Sequence, residues 1–80
     1  MSMQATPEAI VAVLAKEAGI APERLQPEAT LASLEIASLD LVTALFAIED
    51  EFGLAVDGDE AARAETLGDL IAIILKAPAA

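Results

Sequence analysis

The residue of this chain best placed to do chemistry is Ser38, in the stretch Ala37-Ser38-Leu39-Asp40. A serine that attacks a substrate needs a base within hydrogen-bond reach. The chain contains no histidine and no cysteine. Neither of its lysines, Lys16 and Lys76, stands in a serine–lysine motif, so the pattern argues against a hydrolase. It suits a protein whose serine is charged by another enzyme. On position alone Ser38 reads as a helix N-cap, a site where serine is favoured. The same site also suits a phosphodiester, because free backbone N–H groups and the positive end of the helix dipole favour an anion there.

A second candidate is Asp57-Gly58-Asp59-Glu60, whose carboxylates could hint at calcium. An EF-hand loop needs acids at alternate positions, a central glycine and a distant glutamate, and only fragments of that are present. The turn is expected to be a solvated helix cap, and no metal is expected.

These residues need elements to position them. Thr6-Pro7-Glu8 reads as a helix start with a cap, a first-turn proline and an early acid. Ile10, Val13 and Leu14 follow at helical spacing, and Gly19 is a stop, which predicts a helix over residues 7–18. Residues 20–37 lose the period. Pro22 and Pro27 punctuate them, and five aliphatics, Ile20, Leu25, Leu31, Leu34 and Ile36, are spaced irregularly. So long a loop is expected to pack across the helices or to have a function.

Ser38 to Phe52 reads as the second helix. Leu41, Leu45, Ile48 and Phe52 repeat on one face with Val42 beside them, and Asp40, Thr43, Ala47, Asp50 and Glu51 fall opposite. A short helix is expected near residues 60–64. Thr66-Leu67-Gly68-Asp69 has capping-box spacing, with Leu67, Leu70, Ile71 and Ile74 as the buried stripe of a last helix that Pro78 closes. No strand or repeat stands out. The expected fold is all-α, an antiparallel four-helix bundle with three longer helices, one short helix and a long first loop.

Eighty residues suffice for one small domain, residues 1–80, with one core. Without cysteine its stability must come from aliphatic packing, and 56% of residues are apolar, many of them alanine. The longest uncharged stretch falls short of the roughly 20 apolar residues of a membrane span. The start of the chain lacks the basic and apolar regions of a signal peptide. A cytoplasmic monomer is expected. The formal net charge is −10, a field that repels nucleic acid and anionic lipid and attracts basic protein surfaces. Keeping an apolar domain soluble is the plain alternative.

With those residues in place, the chain resembles the acyl carrier proteins, which bear a 4′-phosphopantetheine arm on serine. The similarity runs through the first helix, the loop Ile20-Ala21-Pro22-Glu23-Arg24-Leu25-Gln26-Pro27-Glu28, and Ser38-Leu39-Asp40. It continues through Ile48-Glu49-Asp50-Glu51-Phe52-Gly53 and Thr66-Leu67-Gly68-Asp69-Leu70. The resemblance implies a four-helix bundle, attachment of the arm to Ser38, and a carrier rather than an enzyme. The arm would come from coenzyme A through a phosphopantetheinyl transferase, and the cargo would be acyl groups held as thioesters for fatty-acid, lipid or polyketide-type enzymes. Those partners would dock through basic patches on the outer face of the second helix, at Leu39, Asp40, Thr43, Phe46, Ala47, Glu49, Asp50 and Glu51, with Glu49 nearer the helix–helix flank. It also implies that an acyl chain slips between the helices that the apolar side of the second helix faces.

Three positions depart from the family. Its usual Leu-Gly-x-Asp-Ser-Leu stands here as Leu34-Glu35-Ile36-Ala37-Ser38-Leu39, and Thr43 occupies a position where many members carry glutamate. The missing Asp normally helps the transferase, so these changes mark a specialised carrier serving a restricted set of enzymes. Ser33, in Ser33-Leu34-Glu35, has a similar local frame but precedes no periodic segment. The alternatives are a peptidyl or aminoacyl carrier, and a helical interaction module in which Ser38 only caps a helix.

Overall fold

The computed structural model describes residues 4–36 and 38–80, and its elements are helical: α1 (Pro7–Ala18), a 3₁₀ turn (Pro22–Arg24), α2 (Ser38–Phe52), α3 (Gly58–Arg63) and α4 (Leu67–Lys76). Among the described residues β-pairing is confined to two isolated bridges, Thr30 with Thr66 and Leu54 with Ala79. The expected all-α fold is observed. Met1, Ser2, Met3 and Ala37 lie outside the described residues.

Local chemistry sets the helix ends. The Thr6 hydroxyl accepts from the Ala9 N–H at 3.1 Å, and Pro7 opens α1 without wasting a donor. α1 and α2 both stop on a left-handed glycine, Gly19 at φ 67° and Gly53 at φ 65°. There the next residue's N–H reaches back five positions, Ile20 to the Ala15 carbonyl and Leu54 to that of Glu49, each at 3.1 Å. The short helix begins at Gly58, two residues earlier than expected, because Asp57 is already its cap. The Asp57 Oδ1 accepts from the N–H groups of Asp59 at 2.8 Å and Glu60 at 3.4 Å. This carboxylate, a candidate calcium ligand in sequence, is engaged in holding a helix start. α4 carries the full capping box, with the Asp69 N–H donating to Thr66 Oγ1 at 3.1 Å and the Thr66 N–H to Asp69 Oδ2 at 3.4 Å.

One core joins these elements. Ile10 and Leu14 of α1, Ala44, Ile48 and Phe52 of α2, Ala61 of α3, and Leu67, Leu70, Ile71 and Ile74 of α4 are buried together. The long first loop packs down rather than standing free: Leu25 and Leu34 are buried, and Ile20, Leu31 and Ile36 are half-buried against the core. Its backbone is tied to the start of α4. The Leu31 N–H donates to the Glu65 carbonyl at 3.0 Å, Leu67 to Ala29 at 2.8 Å, and Gly68 to Pro27 at 2.9 Å. These bonds satisfy backbone groups that a loop lying on the core would otherwise strand. The chain's last residues hold the end of α2 in the same way, with Ala55 donating to Pro78 and Ala80 to Gly53, both at 2.9 Å.

Candidate functional site

α2 positions almost every residue that the sequence singled out. It starts at Ser38, and its first turn carries Asp40. The side chain of Ser38 lies outside the described residues, as does Ala37. Ser33, the competing serine, is spent locally: its Oγ donates to the Thr30 carbonyl at 2.8 Å, and its N–H donates to Thr30 Oγ1 at 3.0 Å.

Successive residues of an α-helix turn by about 100°, so α2 divides into three strips. The first faces the core and contains Ala44, Ile48 and Phe52, with Leu41 and Leu45 half-buried beside them. Ala44 is absent from the expected stripe, since an alanine carries no strong signal in an alanine-rich chain. Val42, expected beside the stripe, is instead 45% exposed. It lines the open flank toward α3.

The second strip points outward. Leu39 is 75% and Phe46 65% exposed, and Asp40, Thr43, Asp50 and Glu51 are exposed with them. Two large apolar side chains thus stand among carboxylates on a helix that carries no lysine or arginine. Of the expected contact set, Ala47 and Glu49 are drawn back, both half-buried. Ala47 is too short to project past its neighbours.

The third strip lines a cleft of about 520 Å³ between α2 and α3, walled by Leu41, Val42, Leu45, Phe46 and Glu49 on one side and Val56, Gly58 and Ala62 on the other. Glu49 lies on the helix–helix flank, as expected, and its Oε2 accepts from the Val56 N–H at 3.0 Å. The position of this cleft corrects one expectation. The side of α2 facing α1 and α4 is filled by side chains with no exposure, Ile10, Leu14, Ile48, Leu70 and Ile74 among them. Room lies instead on the α3 flank. A hollow of about 550 Å³ between residues 55–57 and the end of α4 takes no residue from α2. Phe46 is part of the wall of the α2–α3 cleft, and Phe52 is core.

A serine at the start of a 15-residue helix, flanked by exposed Leu39 and Asp40 and followed by an outward acidic and apolar strip, fits an anchored prosthetic group. Such a group needs a surface that partner proteins can find. Comparison with known proteins agrees. The family model described as "Phosphopantetheine attachment site" matches residues 8–74. An acyl carrier protein of Thermosynechococcus vestitus is 35% identical over 68 residues, covering 84% of each chain. One from Nitratidesulfovibrio vulgaris is 35% identical over 68 residues, covering 84% of this chain and 90% of its own. The meromycolate extension acyl carrier protein of Mycolicibacterium smegmatis is 35% identical over 79 residues, covering 92% of this chain and 80% of its own.

The chain belongs to the phosphopantetheine-attachment family. Within it, the protein is an acyl carrier: a non-catalytic protein with a covalently attached 4′-phosphopantetheine, served by a transferase and by acyl-processing enzymes. Among the described residues no helix is long and apolar enough to cross a membrane.

Proposed function

We propose that Ser38 bears the arm, that the 80 residues act as one carrier domain, and that the cargo is an acyl chain destined for fatty-acid, lipid or polyketide-type enzymes. The observation that carries this reading is the place of Ser38: it opens α2, inside the matched span, where the outward strip begins. The engagement of Ser33 with Thr30 supports it, since the competing hydroxyl is tied into its own turn. The bound group supplies a thiol on which acyl groups ride as thioesters. The chain's own part is to hold the anchor at a helix start whose N–H groups favour a phosphate, and to present the partner surface. Tethering makes delivery to a docked enzyme effectively intramolecular, so tight binding is unnecessary.

Leu39, Asp40, Thr43, Phe46, Asp50 and Glu51 form that surface, and their exposure supports the assignment. The acids speed and orient encounter with basic patches, while Leu39 and Phe46 supply apolar contact. Ala47 contributes by leaving space between them. The α2–α3 cleft, which opens one turn beyond Ser38, receives the cargo between visits to enzymes.

Intact-mass spectrometry after incubation with coenzyme A and a panel of phosphopantetheinyl transferases tests the anchor. The wild-type chain and Ser33→Ala are expected to gain one arm with at least one transferase, and Ser38→Ala to gain none. An arm on Ser38→Ala would refute the assignment. Because Glu35 and Ala37 replace the family's usual Gly and Asp, only a subset of the panel is expected to act.

A further inference from the structure

We propose that Glu49 sets the length of acyl chain that the cleft shelters, by ending its apolar wall with a carboxylate. The proposal rests on the reading that the arm is on Ser38 and that its cargo enters the α2–α3 cleft.

Eight residues line the cleft, and Glu49 alone among them is charged. Their order along α2 gives the cleft a direction. Leu41 and Val42 stand within about one turn of Ser38, Leu45 and Phe46 follow a turn later, and Glu49 comes last, about 12 Å beyond Leu41 along the helix axis. The opposite wall meets α2 at that same end, because the Glu49 Oε2 accepts from the Val56 N–H at 3.0 Å, in a half-buried bond. That bond stitches the walls together where the apolar lining stops.

An alkyl chain entering from the Ser38 end therefore buries each added methylene against Leu41, Val42, Leu45 and Phe46 until it reaches Glu49. Beyond that depth it must part the Glu49–Val56 bond or strip water from a carboxylate. Desolvating an ionised group costs more than a buried methylene returns. Shelter should grow with chain length and then level off.

The length series separates this role from a merely structural one. Acyl-phosphopantetheine groups of increasing length are installed from acyl-coenzyme A by a transferase, and the melting temperature of each acylated protein is compared with that of the unacylated holo form. For the wild type we expect Tm to climb with length and then reach a plateau. Glu49→Met lacks both the charge and the acceptor for Val56 while keeping an apolar side chain of similar length, so it is expected to fold and to keep climbing. At lengths where the wild type is flat, each further methylene in this variant should add about 3–6 °C. The Val56 amide resonance should shift in the wild type only once the chain reaches plateau length. A plateau at the same length in Glu49→Met overturns the role of Glu49 while leaving the cleft as the cargo site. A wild-type Tm and spectrum indifferent to chain length at every step overturn both.

Discussion

The core side of α2 and its α3 flank are built from the same kinds of residue and end up in different states. Ala44, Ile48 and Phe52 on one side are buried, while Val42 at 45% and Phe46 at 65% exposure stand beside a cleft on the other. Hydrophobicity does not distinguish them. What lies opposite does: α1 runs along the core side, and the six-residue α3 packs against α4 rather than closing onto α2. Apolar side chains near an incompletely covered flank are a reserve of unspent hydrophobic contact, available to a cargo or a partner. A carrier needs such a reserve beside a rigid wall, since a fully packed helix would offer its cargo nothing.

The sharpest way to break that contrast is to damage the packed side. Ile48 has no exposure and belongs to the central cluster, so Ile48→Ala removes its buried methyl and methylene groups and leaves a cavity. The expected loss is about 2–5 kcal/mol, read as a lower urea midpoint with little change in slope. In a domain of this size that is a large share of the total stability. A loss below about 1 kcal/mol would mean that the core side can collapse around a void as freely as the flank.

The two sides also differ in how far they could be read from sequence. Leu67, Leu70, Ile71 and Ile74 of α4 are all buried as their period requires, because that face of α4 lies against the central cluster. The caps at Thr6 and Thr66 and the glycine stop at Gly19 were equally legible, being chemistry between residues close in the chain. The exposure of Val42 was not, since it depends on where α3 sits, and nothing within α2 encodes that. Nor does any local pattern reveal that the cleft lies toward α3 or that Val56 completes its end.

The approach to α2 holds a smaller, opposite effect. Glu35 stands where the family usually has glycine, and it keeps a left-handed conformation at φ 55°. Its N–H donates to the Ala32 carbonyl at 3.1 Å, closing the turn that begins at Ala32. A side chain there costs roughly 1–2 kcal/mol relative to an unstrained backbone, and glycine's greater freedom in the unfolded chain returns part of that. Glu35→Gly is therefore expected to raise stability by about 0.5–1 kcal/mol, as a higher urea midpoint. A lower midpoint would show that the Glu35 side chain contributes more than its strain costs. The gain should be indifferent to cargo, because Glu35 lines neither wall of the cleft.

The smallest expected change in stability comes from the open side, and it decides whether the two sides truly differ. Phe46 is larger than Ile48 but two-thirds exposed, so folding already leaves most of its surface in water. Phe46→Ala should alter stability by no more than about 0.5 kcal/mol. The same substitution removes the aromatic side chain of the outward strip, and aromatic residues, phenylalanine included, are enriched at the cores of protein interfaces. Affinity for an acyl-processing partner should fall by about tenfold or more, measured by surface plasmon resonance on the holo protein. Melting and binding thus have to respond in opposite proportion at the two positions. If Phe46→Ala unfolded the protein as severely as Ile48→Ala, its ring would be part of the packing, and α2 would have no free apolar side to lend.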